Sequence, residues 1–217
     1  MSRSRTSHIV DFTFALPLVL VASCTYGPSR IEPPSISPSG SADQALEMYD
    51  ANDDGYLAGE ELDKVPGLKA AIETLDTDKD GKVSERDIAA RIETWQSTRL
   101  GLLPLTLTVT INGRPLQDAT VTFEPEAFLG NEIKPASSKT DEFGGGAPTV
   151  PKELRPDPER TPAGVALGFY RVKISKVVNG KETIPRKYNE ETFLGQEVAP
   201  DVPELASLRL TYSLSTN

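Results

Sequence analysis

"DANDDGYLAGEE", residues 50–61, places five acidic side chains and one Asn within twelve positions. Like charges this close repel one another and, left alone, favour an open, solvated segment. Their spacing has another logic. Asp50, Asn52 and Asp54 stand at positions 1, 3 and 5 and direct oxygens towards one point. Gly55 permits the sharp turn that a β-carbon would hinder. Tyr56 lends its backbone carbonyl, and Glu61 at position 12 brings two further oxygens. Ala58 has no side-chain oxygen, so water must fill that place. A hard cation taking six to eight oxygen ligands fits such a stretch.

A second copy follows in "DTDKDGKVSERD", residues 76–87. Asp76, Asp78, Asp80 and Gly81 repeat the offsets, Lys82 supplies a carbonyl, and Val83 matches the apolar Leu57. Ser84 can hold the bridging water. Asp87 stands where the pattern has Glu, one methylene shorter, which predicts weaker calcium binding and better tolerance of Mg2+. Flanking residues carry helical stripes: Leu68, Ile72 and Leu75, then Ile88, Ile92 and Trp95, read as core. Ser41 and Gln44 form a capping-box pattern before Leu46 and Tyr49. Pro66-Gly67 interrupts the short connection and starts a new helix, and Leu100-Gly101 closes the last one. Either loop alone could be a solvated acidic turn; two in tandem favour a metal. Both resemble EF-hand loops, and the resemblance implies calcium held by Asp50, Asn52, Asp54, Tyr56 and Glu61, and by Asp76, Asp78, Asp80, Lys82 and Asp87.

The 217-residue chain has a formal charge of −9, and the acidity is local. Residues 41–95 hold 15 acids and 6 bases, whereas residues 96–217 hold 15 and 14. Phosphate backbones would be repelled, so nucleic acid is excluded as a partner. The single Cys and single His are Cys24 and His8. Beyond residue 24 the chain can build no internal disulfide, no Cys/His zinc site and no triad using imidazole or thiolate.

Two arginines precede an apolar run from Phe12 to Ala22, whose eleven residues span about 16 Å as helix. The hydrocarbon layer is roughly 30 Å thick, so the run reads as an export signal over residues 1–23 and not as a spanning anchor. Val21-Ala22-Ser23-Cys24 resembles the lipobox of bacterial lipoproteins, which implies cleavage before Cys24 and lipidation of its sulfur. An ordinary signal peptide cut nearby is the alternative. Residues 24–40, rich in Pro and Ser, read as a flexible tether.

From Leu103 the pattern changes to period two. Leu105, Leu107, Val109 and Ile111 alternate, Asn112-Gly113 signals a hairpin, and Ala119 to Phe123 alternate again. Further strands are predicted at 168–175, 192–198 and 208–214, with Gly- and Pro-rich breaks between, as in a β-sandwich. "NGRPLQDATVTFEPE", "KTDEFGG" and "GFYRVKIS" resemble the carboxypeptidase regulatory-like, or transthyretin-like, domain.

The expected architecture is therefore multidomain: a small all-α EF-hand pair at 41–100 and an all-β Ig-like/transthyretin-like sandwich at 103–217. The expected function is a calcium-binding, exported protein held on a membrane by its N-terminal lipid, periplasmic or cell-surface, whose ions stabilise the helical module. The alternative is an adhesion or carbohydrate-binding module with purely structural calcium, Tyr170, Tyr188 and Phe193 forming a sugar platform or else ordinary packing. No catalytic residue is marked out, and the acids of "YNEET" form no evident pair, so an enzyme is not expected.

Overall fold

The computed structural model describes residues 32–155, 159 and 161–216, and within them the chain is mostly β-sheet with a few short helices. Helix α1 (Pro38–Tyr49) starts where Pro38, which lacks an N–H, occupies the first turn without cost. Ser37 caps it, its hydroxyl accepting from the Gly40 N–H at 3.2 Å. The capping box expected at Ser41 and Gln44 does not form: Ser41 lies inside the helix and donates its N–H to the Ser37 carbonyl at 2.9 Å. A Ser-Pro start upstream overrides it. Residues 38–40 thus belong to the helix and not to a tether, and Ile36 is already part of the core.

Two short strands, β1 (Tyr56–Ala58) and β2 (Lys82–Ser84), pair antiparallel with Leu57 opposite Val83. Between them run α2 (Glu60–Asp63), α3 (Pro66–Ala70) and α4 (Ile72–Leu75). Pro66 opens α3, as its position predicts. Helix α5 (Glu85–Thr98) buries Ile88, Ile92 and Trp95, and stops at Arg99, which adopts the left-handed conformation just ahead of Leu100-Gly101.

The β half opens with β3 (Leu102–Leu103) and β4 (Thr106–Ile111), which turns through Asn112-Gly113 into β5 (Arg114–Pro115). Both turn residues have positive φ, 50° and 74°, as a two-residue hairpin of this hand requires. Next come β6 (Thr120–Pro125), β7 (Ala136–Lys139), β8 (Gly145–Gly146), β9 (Val165–Ala166) and β10 (Gly168–Ser175). A small hairpin, β11 (Val177–Val178) and β12 (Lys181–Glu182), precedes β13 (Gly195–Val198) and β14 (Arg209–Leu214). One sheet has the order β13-β10-β6-β7; the other has β14-β4-β5, with β8 also on β4. Two sheets of this kind make a β-sandwich-like body. The strand predicted over 192–198 is shorter, because the Thr192 hydroxyl bonds the Val172 carbonyl and Phe193 points to solvent.

Period-two alternation places Tyr170, Val172 and Ile174 of β10 towards the other sheet, and Phe169 and Arg171 on the opposite face. That second face is covered by helices. Trp95 of α5 meets Phe169 edge-on, ring centroids 4.5 Å apart. Helix α3 lies on β13 and β10, so the molecule stacks helices, sheet and sheet around one continuous core.

Close approach of backbones fixes this junction. A β-carbon on Gly195 would stand 1.7 Å from the Pro66 carbonyl oxygen, so only glycine lets β13 meet α3. G195A should cost about 1–3 kcal/mol or more through overpacking. Thermal denaturation checks this, and an unchanged midpoint would show that α3 and β13 do not pack this way.

Glu126, 2% exposed, accepts the Gly67 N–H at 2.8 Å and faces Arg171 at 3.6 Å. Burial raises its carboxyl above the ordinary value of 4.5, outweighing the Gly67 hydrogen bond and the Arg171 charge. A raised carboxyl contributes stability that is full below the ordinary value and lost as pH rises through the folded one. E126Q keeps an acceptor for Gly67 and carries no charge. Denaturant melts across pH 4 to 8 should lose less stability on the alkaline side in E126Q; parallel profiles would refute the assignment.

Candidate metal centre

Both acidic loops follow one backbone course. Position 4 is left-handed in each, Asp53 at φ 57° and Lys79 at 61°, and position 6 is glycine at 82° and 80°. Asp50 ends α1 and Asp76 ends α4, so the first acid of each loop sits at a helix terminus. The Asp50 carboxylate accepts the Gly55 N–H at 2.8 Å, and Asp76 accepts that of Gly81 at 2.8 Å. Asp54 accepts from the Tyr56 N–H at 3.1 Å, and Asp80 from Lys82 at 2.9 Å. Asn52 accepts the Asp54 N–H at 2.9 Å. These bonds curl each loop so that its short acids face inward. Tyr56 and Lys82 lie in the paired strands β1 and β2, which hold the loops side by side.

The loops close differently. Glu61 is buried, with one carboxylate oxygen on the Ala51 N–H at 2.9 Å and the other on Ala58 at 3.1 Å. It therefore spans its loop. Asp87 instead accepts the Ser84 N–H at 2.9 Å and the Ser84 hydroxyl at 2.6 Å, forming the capping box of α5. One methylene fewer keeps it at its own helix end.

Carboxylate oxygens of Asp76, Asp78 and Asp80 all lie within 4.8 Å of one another, a grouping of three acids. The exposed Asp78 carboxyl is raised from its ordinary value, chiefly because the Asp80 charge stands beside it, then through its bond to Asp76 and a lesser loss of hydration. At Asp76 desolvation works upwards, but amide hydrogen bonds from Gly81, Asp80 and Lys79, with one from Asp78, outweigh it and hold the carboxyl low. Oxygen-only donors converging at this spacing suit a hard divalent cation, calcium or magnesium. The donor set fits such an ion.

Other candidates are dispersed. Tyr170 is fully buried, its hydroxyl donating to the Ala166 carbonyl at 2.8 Å, and burial raises its pKa. It cannot join a surface platform, because both faces of β10 are covered there. Tyr188 is buried and Phe193 exposed, their rings 5.7 Å apart. Glu190 and Glu191 of "YNEET" each pair with Arg186, at 3.1 and 2.8 Å. Cys24 and the expected export signal lie outside the described residues, among which no helix is long and apolar enough to cross a membrane.

One cluster escaped the sequence reading. Glu197 of β13, 2% exposed, accepts from Arg91 Nε at 2.5 Å, Trp95 Nε1 at 2.9 Å and the Thr74 hydroxyl at 2.6 Å. Arg91 also forks onto both oxygens of Asp201, at 2.7 and 2.8 Å. Sequence separations above one hundred residues leave no local signal for it.

No protein-family model, curated protein or solved structure matches this chain.

If Asp80 is the charge that raises Asp78, then D80N returns Asp78 towards the ordinary range. Carboxyl-carbon NMR titration in chelator reads this directly, and an unmoved Asp78 midpoint would contradict the assignment.

Proposed function

We propose that the chain is an exported, membrane-tethered calcium-binding protein in which an EF-hand pair stabilises a helical module fused to a transthyretin-like β-sandwich. The observation that carries this reading is the convergence of the Asp76, Asp78 and Asp80 carboxylates in a loop whose backbone repeats that of residues 50–61. Bound calcium supplies the positive charge that lets these acids stay ionised at close range. Asp50, Asn52, Asp54, Glu61 and the Tyr56 carbonyl would hold one ion; Asp76, Asp78, Asp80, Asp87 and the Lys82 carbonyl the other. Glu61 reaches across its loop and Asp87 does not, which supports a tighter first site and a second more tolerant of magnesium.

A structural use of the ions is favoured over a switch. The helices are fixed to the sheet by buried bonds, and a sensor needs helices free to open onto a Met-rich groove. The sequence supplies one Met, Met48, beyond Met1. The sugar-platform alternative loses support with Tyr170 inside the core.

Isothermal titration of the chelator-stripped chain should give two calcium events. Calcium at ten times a site's dissociation constant should add about 1.4 kcal/mol of stability per site. No heat and no stabilisation at millimolar calcium would refute the reading. Intact mass of membrane-extracted protein tests lipid on Cys24 independently.

A further inference from the structure

The buried cluster around Glu197 has a particular relation to loop 76–87. Thr74 stands two residues before Asp76, and Arg91 one helical turn after Asp87. Both donate to the same carboxylate, Thr74 to Oε2 and Arg91 to Oε1. The Thr74 hydroxyl also faces the Ala71 carbonyl at 2.8 Å, but it has one proton, and the charged, closer acceptor takes it. Glu197 thereby joins the helix that enters the loop to the helix that leaves it.

We propose that Glu197 is a positioning residue for the ion in loop 76–87: it holds the two ends of that loop at the separation the ligands require. This rests on the calcium reading above. An ion exchanging its water for protein oxygens gains most when the oxygens are already placed, because ordering a loose loop subtracts from affinity. Loop 50–61 orders itself, since Glu61 spans it. Loop 76–87 lacks that brace, since Asp87 bonds only Ser84, through Oδ2, and does not reach the start of its loop as Glu61 does. Its span is set from outside, by a strand held in register against β10 with Glu197 opposite Phe169.

Loop 50–61 is tied to the sheet on its exit side, through the Lys64 carbonyl on Arg171 at 2.8 Å and the Gly67 N–H on Glu126. Those bonds use backbone groups and do not bridge its two ends. Glu197 should therefore act on one loop and spare the other. By linkage, the ion should in turn firm up β13.

The test uses the full chain and site-resolved NMR during calcium titration. Gly55 and Gly81 report the loops separately, since their N–H groups donate to Asp50 and Asp76. T74V removes one hydroxyl at nearly constant volume; E197Q keeps an acceptor but leaves Arg91 without its buried countercharge. Both should weaken the Gly81 midpoint by about fivefold or more while Gly55 stays near its original value. Calcium should also slow hydrogen exchange at the Val198 amide, less so in T74V. Equal shifts at both glycines, no shift at Gly81, or a Gly81 silent towards calcium in the unsubstituted chain overturns the clamp. Silence at both glycines in that chain overturns the calcium reading itself.

Discussion

A single carboxylate, that of Glu197, sits where the helices meet the sheet, and the arrangement of both depends on satisfying it. An ionised acid removed from water is costly unless every lone-pair direction finds a donor. Here the donors come from three helical side chains, while the acid comes from a strand. The guanidinium is itself only 7% exposed and completes its fork on Asp201, whose carboxyl the bonded Arg91 holds below the ordinary range. Such a network adds less to stability than its bond count suggests, yet removing one partner strands a buried charge at about 3–5 kcal/mol. Its main effect is on geometry: α4, α5 and β13 are placed so that Thr74, Arg91 and Trp95 all reach one carboxylate.

The apolar contacts agree with that placement. Trp95 contributes its ring to Phe169 and its N–H to Glu197, so one side chain serves both the greasy and the polar parts of the junction. Phe169 in turn contacts Phe128, tying the helical layer to the segment after β6. Gly67 and Gly195 let the backbones approach at the far end. The helical and β halves are thus one packed body, and the acidic loops project from its helical side.

What could be read in advance was local. The loops announce themselves because their acids and glycine fall at fixed offsets within twelve residues, and the Leu57–Val83 bridge follows from the same offsets. The Asn112-Gly113 turn and the alternation of β4, β6, β10 and β14 were legible for a similar reason: period two is visible within six residues. β7 was not legible. "ASSK" has little apolar signal, and it is a strand because β6 offers it an edge. Tyr170 was ambiguous because a strand covered on both faces loses the contrast between inside and outside. Ser41 gave a good capping pattern and was overruled by Ser37, four residues upstream and followed by Pro38. Arg91 and Glu197 are 106 residues apart, and no local pattern marks them as a pair.

The parallel pairing of β14 with β4 carries a consequence for how the chain assembles. Leu210 lies against Leu107, and Leu214 against Ile111, across about a hundred residues of intervening chain. Parallel neighbours so distant must await synthesis of nearly everything between them, and such long closures slow folding. During that interval β4 has, among the described strands, its hairpin partner β5 and the short β8 to shelter its backbone. Until β14 arrives, that flank of β4 lacks its backbone partner, and an unpaired strand flank is a template for pairing with another chain.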